Sequence, residues 1–375
     1  MLNRTFAAFW LFGLVNNVLY VVILSAAVDL VGPLTPKAIV LMADVLPSFL
    51  LKLASPFFIH TIPYHIRICI LVSLSFVGML TVSLFENVAL VLFGIILASM
   101  SSGLGETTFL QLTHYYTESA LSAWSSGTGG AGLAGAFIYM FLTTWMGISV
   151  RNALLTFSIA PFTFIICYFR LLPSPSMKLS EPTEQPILLV ESNYQSTIRR
   201  IKPLVVPYML PLFTVYVAEY VINQGVSPTL LFPIDEMPFH NYRDAYVTYG
   251  TLYQLGVFVS RSSGQFVRIR NLAMPALLQS INLVICVLQA MYVIFPNIYW
   301  LFLLILYEGL LGGSAYVNTF MLVTETVPLA EREFAMGCVG ISDSAGIVVA
   351  ASLAMMLEPQ LCAFQVAAGR DYCQR

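Results

Sequence analysis

Long apolar stretches, separated by short polar segments, run through almost the whole chain. A bilayer core about 30 Å thick is crossed by about 20 consecutive apolar residues in a helix. The stretches have that length, and they lack the alternation of polar and apolar positions that marks the strands of a membrane barrel. They predict eleven membrane-spanning helices, at about residues 6–30, 38–59, 66–85, 88–110, 120–146, 152–172, 203–231, 244–262, 271–294, 298–324 and 333–357.

The composition supports a membrane protein. Of the 375 residues, 58% are apolar and 10% are charged, whereas a soluble domain is about 45–50% apolar and about 25% charged. So few charges cannot cover the surface of a soluble fold, and the net charge of −2 provides no basic surface for nucleic acid. The composition therefore excludes a soluble enzyme, a nucleic-acid binder and a disordered scaffold. It predicts an all-α protein embedded in a lipid bilayer.

The basic residues predict an orientation. Lys and Arg collect in cytoplasmic loops. If the N-terminus is cytoplasmic, eleven of these residues lie on the cytoplasmic side and five on the opposite side. We therefore predict a cytoplasmic N-terminus and, because the number of spans is odd, a lumenal tail at residues 358–375. The proline-rich polar stretch 173–202 predicts a disordered cytoplasmic linker, which separates a six-helix half (1–172) from a five-helix half (203–357).

The two halves look like repeats of each other. The string Ser102–Glu106 corresponds to Glu308–Gly313 about 206 residues later, and the glycine cluster Gly127–Gly135 corresponds to Gly337–Gly346 at a similar distance. Parallel repeats joined by a long loop are the plan of major-facilitator transporters. The string Gly256–Arg261 also resembles the Gly-x-x-x-Asp-Arg loop of that superfamily, with Ser260 in place of the Asp. The sequence thus predicts a major-facilitator-like bundle with a substrate site between its halves.

Ionisable side chains within membrane spans are costly, and they usually mark solute or proton pathways. The predicted spans contain six such residues, of which Glu106, Glu219 and Glu308 are our candidates for proton coupling. The alternative is that some of these groups lie near a span end or only hydrogen-bond between helices. The other three are Asp44, Lys52 and Asp343. Asp44 and Lys52 are too far apart on one helix to pair with each other, so each needs a partner elsewhere.

A polar face in the seventh span predicts a cavity lining. Tyr216, Glu219, Tyr220 and Asn223 follow the spacing i, i+3, i+4 and i+7, which places them on one side of a helix. Such a face would be expensive against lipid, although interhelical hydrogen bonding remains the alternative. The predicted substrate-binding residues are Asn16, Asn17, Tyr20, Glu219, Asn223, Gln224, Glu308, Tyr316 and Asn318.

Nothing in the sequence predicts a cofactor, a metal site or catalysis. The run Gly127–Gly132 formally matches Gly-x-Gly-x-x-Gly, but the preceding strand that a dinucleotide site needs is missing. A close-packing helix face explains the run better. The six cysteines have no metal-ligand spacing, and no nucleophile, base and orienting group stand out. Cys362 and Cys373 share the predicted lumenal tail, where they could form a disulfide.

The linker contains a candidate sorting signal. Glu184, Leu188 and Leu189 match the acidic dileucine pattern Asp/Glu-x-x-x-Leu-Leu/Ile. Such a motif is recognised by clathrin adaptors only when it lies in an exposed cytoplasmic segment, as this linker is predicted to do. If it is functional, the protein is directed to endosomes and lysosomes.

Several long strings closely resemble the battenin family of lysosomal membrane proteins. They are Ser101–Glu106, Trp124–Gly132, Ala218–Gly225, Ser260–Ser263, Tyr307–Phe320 and Arg332–Met336. The resemblance covers nearly all the spans. It implies an endolysosomal multi-pass protein, distantly related to major-facilitator carriers and needed to clear glycerophosphodiesters from lysosomes. The family is also linked to lumenal pH and to basic amino-acid transport.

The sequence therefore favours a carrier for a small polar solute, with glycerophosphodiesters preferred by resemblance. An anionic phosphodiester needs a cationic pocket, yet only Lys52 is clearly both basic and intramembrane, with Arg243 or Arg261 able to reach in from a span end. Charge alone favours a cationic substrate such as arginine or lysine as the second choice. A non-transporting trafficking scaffold, with structural polar faces and partners on the linker, is the alternative from another class.

Overall fold

The computed structural model describes residues 4–26, 37–116, 118–175, 194–239, 242–370 and 372–374. All regular elements of these ranges are helical, which confirms the predicted all-α fold. The helices, numbered in chain order, are α1 Arg4–Ser25, α2 Lys37–Phe58, α3 Tyr64–Leu84, α4 Val88–Thr113, α5 Glu118–Met140, α6 Val150–Phe157, α7 Phe162–Ile166, α8 Tyr194–Leu204, α9 Leu210–Val221, α10 Tyr242–Ser262, α11 Ala273–Tyr292, α12 Ile298–Thr326, α13 Leu329–Val339 and α14 Ile341–Ala367.

Some membrane spans consist of one helix, and others consist of two consecutive helices. Within the described ranges, nine spans are long and apolar enough to cross a membrane, including Val150–Leu171 (α6 and α7), Tyr194–Thr229 (α8 and α9) and Leu329–Ala367 (α13 and α14). The helices α5 and α10 have sufficient length but are less apolar, because α5 is rich in glycine and serine and α10 in tyrosine and charged residues. With these two helices added to the nine spans, the described residues contain the eleven spans that the hydrophobic pattern predicts.

Two predicted boundaries differ from the structure. Residues 194–202 of the predicted disordered linker belong to α8, where Arg200 forms an ion pair with Glu331 at 2.7 Å and stacks on Phe334. The polar composition of α8 does not predict a helix. The helix is stabilised by contacts with residues more than a hundred positions later in the chain, which the local sequence does not show. Similarly, α14 continues through Ala367, so the predicted tail begins as helix. The sorting residues Glu184, Leu188 and Leu189 lie outside the described residues.

The chain divides into two compact units, which are described separately. Unit 1 comprises Met1–Met209 with Phe320–Ile341, and unit 2 comprises Leu210–Thr319 with Ser342–Arg375. In unit 1, α1 packs along α5, and α4 packs against both α2 and α3. In unit 2, α9 packs against α11, and the disulfide Cys362–Cys373 links α14 to the short helical turn that follows it.

Glycines create equivalent close contacts in the two units. In unit 1, a side chain on Gly127 would collide with the backbone of Trp10 and Leu14 in α1, and one on Gly103 would collide with Ser48 in α2. In unit 2, Gly346 of α14 meets α9 in the same way, and Gly309 of α12 meets α10. The first helix of each unit thus packs on the fifth and the second on the fourth, which agrees with the predicted repeat.

We expect Gly256→Ala to destabilise the protein by about 1–3 kcal/mol, the usual cost of overpacking. A Cβ atom at this position in α10 would overlap the backbone oxygen of Leu306 and the backbone nitrogen of Leu310 in α12, neither of which can rotate away. Gly250→Ala on the same helix is the matched control, because no atom lies within 4 Å of its added Cβ. Thermal unfolding of the purified variants tests the prediction, and equal melting temperatures would contradict it.

Candidate functional site

The polar face of the seventh span lies mostly inside unit 2. Tyr216 and Glu219 on α9 are 4% and 2% exposed, and the ring of Tyr216 stacks on that of Tyr220. Asn223 follows in a π-helical turn, Ile222–Val226, that continues α9. Turns of this kind are rare and are frequently found at functional sites. The face therefore contacts protein rather than lipid, as its spacing predicts.

One carboxylate oxygen of Glu219 has a hydrogen-bond partner, and the other, called an open oxygen below, has none among the described residues. Its Oε1 accepts a hydrogen bond from the hydroxyl of Tyr253 on α10, whereas Oε2 has no hydrogen-bond partner among the described residues. The carboxylate packs directly against Gly312 of α12, because any Cβ there would overlap it. A buried carboxylate with an open oxygen can accept a proton or a donor group from a solute.

Glu308 on α12 repeats this arrangement. It is fully buried, and its Oε1 accepts a hydrogen bond from Asn223 Nδ2 at 2.9 Å. The same amide donates to the backbone oxygen of Glu219 at 3.1 Å, which fixes the orientation of Asn223. The other carboxylate oxygen, Oε2, has no partner in the described ranges. Asn223 thus links the carboxylate of Glu308 to the backbone of Glu219.

A guanidinium group completes this cluster. Arg261, in the last turn of α10, donates from Nη2 to the hydroxyl of Tyr216 at 2.9 Å and lies over the ring of Tyr316 at 4.1 Å. Arginine is the residue that binds carboxylate and phosphate groups with a two-pronged geometry. We call the set Tyr216, Glu219, Asn223, Tyr253, Arg261, Glu308 and Tyr316 the unit 2 cluster. With the carboxylates ionised, it carries a net charge of −1.

Comparison with known proteins places the chain in a family. It matches the CLN3 protein family over residues 7–191 and 176–364. Protein BTN1 of Yarrowia lipolytica is 61% identical over an alignment that covers 99% of this chain and 98% of that protein. The chain belongs to the CLN3, or battenin, family. Protein BTN1 of Eremothecium gossypii, 52% identical with 98% of each chain covered, is a further relative.

Solved structures with the same fold are major-facilitator transporters. The E. coli fucose:proton symporter has a TM-score of 0.62 at 15% identity, with 99% of this chain and 93% of that chain covered. The human organic anion transporter MFSD10 also has a TM-score of 0.62, at 14% identity, with 99% and 95% covered. At these identities the likeness establishes the fold alone. It confirms the predicted major-facilitator architecture for this CLN3-family protein.

The remaining predicted substrate residues of unit 2 lie elsewhere or at the edge of the cluster. Asn318 accepts a hydrogen bond from the backbone nitrogen of Ile269 at 2.7 Å and donates to the backbone of Ser314. It therefore fixes the connection between α10 and α11 and does not contact the cluster. Gln224 is half-buried in the same π-helical turn as Asn223.

The predicted residues of unit 1 have other contacts. Asn16 donates to the backbone oxygen of Ser102 at 3.2 Å, and Asn17 donates to the backbone of its own helix at Gly13. Tyr20 lines a small cavity together with Asn16. Glu106, a candidate for proton coupling, forms a buried ion pair with Lys52. The repeat thus places polar groups in both units, but it does not bring the groups of unit 1 into the unit 2 cluster.

Tyr253 is the residue of the cluster that the sequence pattern does not single out, whereas the pattern indicates Arg261 only as a cation able to reach in from a span end. Tyr253 could have been found, because Tyr246, Tyr249 and Tyr253 follow helical spacing on α10. Arg261 lies in the last turn of this helix, and its long side chain extends to Tyr216 and Tyr316. The sequence shows that a long side chain at a span end can reach inward, but it does not show which groups that side chain contacts.

A second group of polar contacts surrounds Glu333 in unit 1. Its carboxylate oxygens accept hydrogen bonds from the hydroxyls of Tyr64 and Tyr115, both at 2.6 Å. Burial and the hydrogen bond to Glu333 raise the pKa of Tyr115, so its hydroxyl stays protonated and remains a donor. These contacts attach α13 to α3 and to the end of α4 within unit 1. Arg332–Met336, one of the strings that resemble the battenin family, therefore has a partly structural role.

Proposed function

We propose that this protein is a lysosomal or late endosomal carrier that exports a small polar solute across the membrane. The observation that carries the proposal is the unit 2 cluster, in which Glu219 and Glu308 each have a carboxylate oxygen without a hydrogen-bond partner among the described residues, and Arg261 contacts Tyr216 and Tyr316. So many polar groups are costly at membrane depth unless they serve a solute or proton pathway. In the major-facilitator plan, substrates bind near the middle of the membrane.

Glycerophosphodiesters are the favoured substrate class. The guanidinium of Arg261 can bind the phosphodiester, since arginine matches phosphate oxygens with a fork of N–H donors. The open oxygens of Glu219 and Glu308 can accept hydrogen bonds from glycerol hydroxyls. Arg261 thus adds a cation to the unit 2 cluster that an anionic substrate can contact. The net charge of −1 supports arginine or lysine transport, with an effect on lumenal pH, as the alternative.

Proton coupling is assigned first to Glu219 and Glu308, and Glu106 remains a further candidate. When both carboxylates of the unit 2 cluster are ionised, their charges repel each other in a buried environment. A proton bound by one of them relieves this repulsion and lets an anionic solute enter beside Arg261. Release of that proton on the cytoplasmic side then expels the solute. A lysosomal proton gradient therefore has the direction needed to drive export.

Efflux from reconstituted vesicles tests the coupling. Vesicles loaded with labelled glycerophosphoinositol or labelled arginine are compared with and without a proton gradient that acidifies the loaded side. We expect the gradient to stimulate efflux by the parent protein. We expect no such stimulation in Glu219→Gln or in Glu308→Gln. Glu236→Gln is the control, because this residue is exposed in a short 3-10 helix of the same unit. Flux that ignores the gradient, or that keeps its gradient dependence in both Gln variants, would contradict the proton assignment.

The same experiment separates a carrier from a trafficking scaffold. A purified scaffold transports neither solute, whereas a carrier transports at least one without partner proteins. The proposed lysosomal or late endosomal localisation rests on the dileucine motif Glu184, Leu188 and Leu189, which clathrin adaptors would bind from the cytoplasm. The disulfide Cys362–Cys373 supports a lumenal tail and a cytoplasmic N-terminus, because disulfides persist on the oxidising side of a membrane.

A further inference from the structure

Unit 1 contains a small cavity between α1, α2, α3, α4 and α7, lined by both polar and apolar side chains. Its volume is about 10 Å³, which is close to the minimum that a single water molecule requires. The cavity is too small for an organic solute but large enough for a water or a bare ion. The polar side chains that line it are Asn16, Tyr20, Asp44, Ser75, Ser101 and Ser102.

The carboxylate of Asp44 is the charged group of this cavity. Asp44 is 4% exposed, and its Oδ2 has no hydrogen-bond partner among the described residues. An ionised carboxylate buried without compensation is strongly unfavourable, so it must be neutralised by a proton or by a bound cation. Lys52, two turns further along the same helix, pairs with Glu106. The group that neutralises Asp44 has to enter the cavity.

The backbone of α2 is opened next to this carboxylate. Pro47 lies within the helix and supplies no N–H group. The hydroxyl of Ser99 on α4 accepts a hydrogen bond from the backbone nitrogen of Ser48 at 3.0 Å and donates one to the backbone oxygen of Asp44 at 2.5 Å. A side chain that enters the hydrogen-bond ladder in this way bends a helix. The bridge by Ser99 holds the backbone of Asp44 against α4, next to the cavity.

The other polar groups of the cavity are neutral and can offer oxygen atoms. The hydroxyls of Ser101 and Ser102 already donate to backbone oxygens, of Leu71 and Asn16 respectively, which leaves their lone pairs available. The other lining side chains that carry an oxygen atom are those of Tyr20, Ser75 and Asn16. Oxygen-bearing side chains that line a cavity together with one carboxylate suit a hard cation, and a single negative charge matches a single positive charge. A proton on Asp44 would need no such set.

We propose that Asp44 and the surrounding hydroxyl and amide oxygens form a binding site for one monovalent cation of the size of sodium. The site lies wholly in unit 1 and shares no residue with the unit 2 cluster. Its occupancy fixes α1, α2, α3 and α4 to each other, because the lining residues come from all four helices. The proton is the competing ligand for the same carboxylate.

Sodium-dependent stability of the purified full-length protein tests this site directly. Thermal unfolding in detergent is measured in sodium chloride and in choline chloride at equal ionic strength and alkaline pH. A ligand that binds only the folded state raises the melting temperature in a saturable way. We expect sodium to do so in the parent protein and to have no effect in Asp44→Asn. Glu86→Gln, which changes an exposed carboxylate of unit 1, should keep the full sodium response.

A second variant protects the test against misfolding of Asp44→Asn. Ser75→Ala removes one neutral oxygen and should weaken sodium binding about tenfold, as expected when about 1.4 kcal/mol of binding free energy is lost.

Binding of radioactive sodium to the parent protein should be displaced by unlabelled sodium and not by choline. Equal melting temperatures in the two salts would overturn the proposal. The proposal would also be overturned if the melting temperature responded to pH but not to sodium, and if this pH response disappeared in Asp44→Asn. Asp44 would then bind only a proton. Because the assay measures binding, its result is independent of whether the proposed solute is transported.

Discussion

Glycerophosphodiester efflux by Arg261→Gln is expected to fall by about ten- to a hundredfold, which corresponds to the loss of one charge-assisted contact worth about 1.5–3 kcal/mol. Arg261 is the cation of the unit 2 cluster, and its contacts with Tyr216 and Tyr316 hold the guanidinium within the bundle. Gln keeps hydrogen-bond donors at this position but removes the charge. The measurement is efflux from reconstituted vesicles, with folding checked by gel filtration and thermal unfolding.

The two substrate classes respond in opposite directions to this substitution. Without Arg261, the cluster keeps the carboxylates of Glu219 and Glu308 and gains net negative charge, so efflux of arginine or lysine should be retained or increased. Arg268→Gln is the matched control, because this arginine is exposed in the connection after α10. Arg261→Lys keeps the charge without the planar fork and should give intermediate phosphodiester efflux. Unchanged phosphodiester efflux in Arg261→Gln would contradict the assigned role of Arg261.

The fold could be predicted from the sequence because its cause is local. Each span needs only a sufficient length of apolar residues, and the environment of lipid is the same for all of them. The inward face of α9 could be predicted for a similar reason, since a stripe containing Glu219 and Asn223 has nowhere else to go. The repeat was visible because glycines that permit close helix contacts, such as Gly103 and Gly309, recur at a fixed distance.

The pairing of polar groups could not be predicted, because partners lie on different helices. Nothing in the sequence connects Lys52 with Glu106, or Glu219 with Tyr253. Asn318 has the same side chain as Asn223 and also lies on a span, yet it orients a loop backbone. A side chain in a membrane span can face a solute path, a neighbouring helix or a backbone group. Only the three-dimensional structure distinguishes these roles.

The second large effect concerns the ion pair of Lys52 and Glu106 in unit 1. The side chains are 3% and 14% exposed, so each charge depends on its partner. Removing one partner of a buried pair leaves an uncompensated charge and typically costs about 3–5 kcal/mol. We expect Lys52→Met and Glu106→Gln each to lower the free energy of unfolding by that amount. Denaturation in mixed micelles measures it, with the exposed Arg151→Met as the control.

The double variant Lys52→Met/Glu106→Gln decides what Glu106 does. Once both charges are gone, no uncompensated group remains, so the double variant should recover most of the stability that either single change removes. If stability does not recover, the pair is not the reason for the single losses. A recovered double variant can then be assayed for transport. Efflux that still follows the proton gradient would make Glu106 a structural partner of Lys52 and leave coupling to Glu219 and Glu308. Efflux that no longer follows it would place a coupling proton in unit 1 as well.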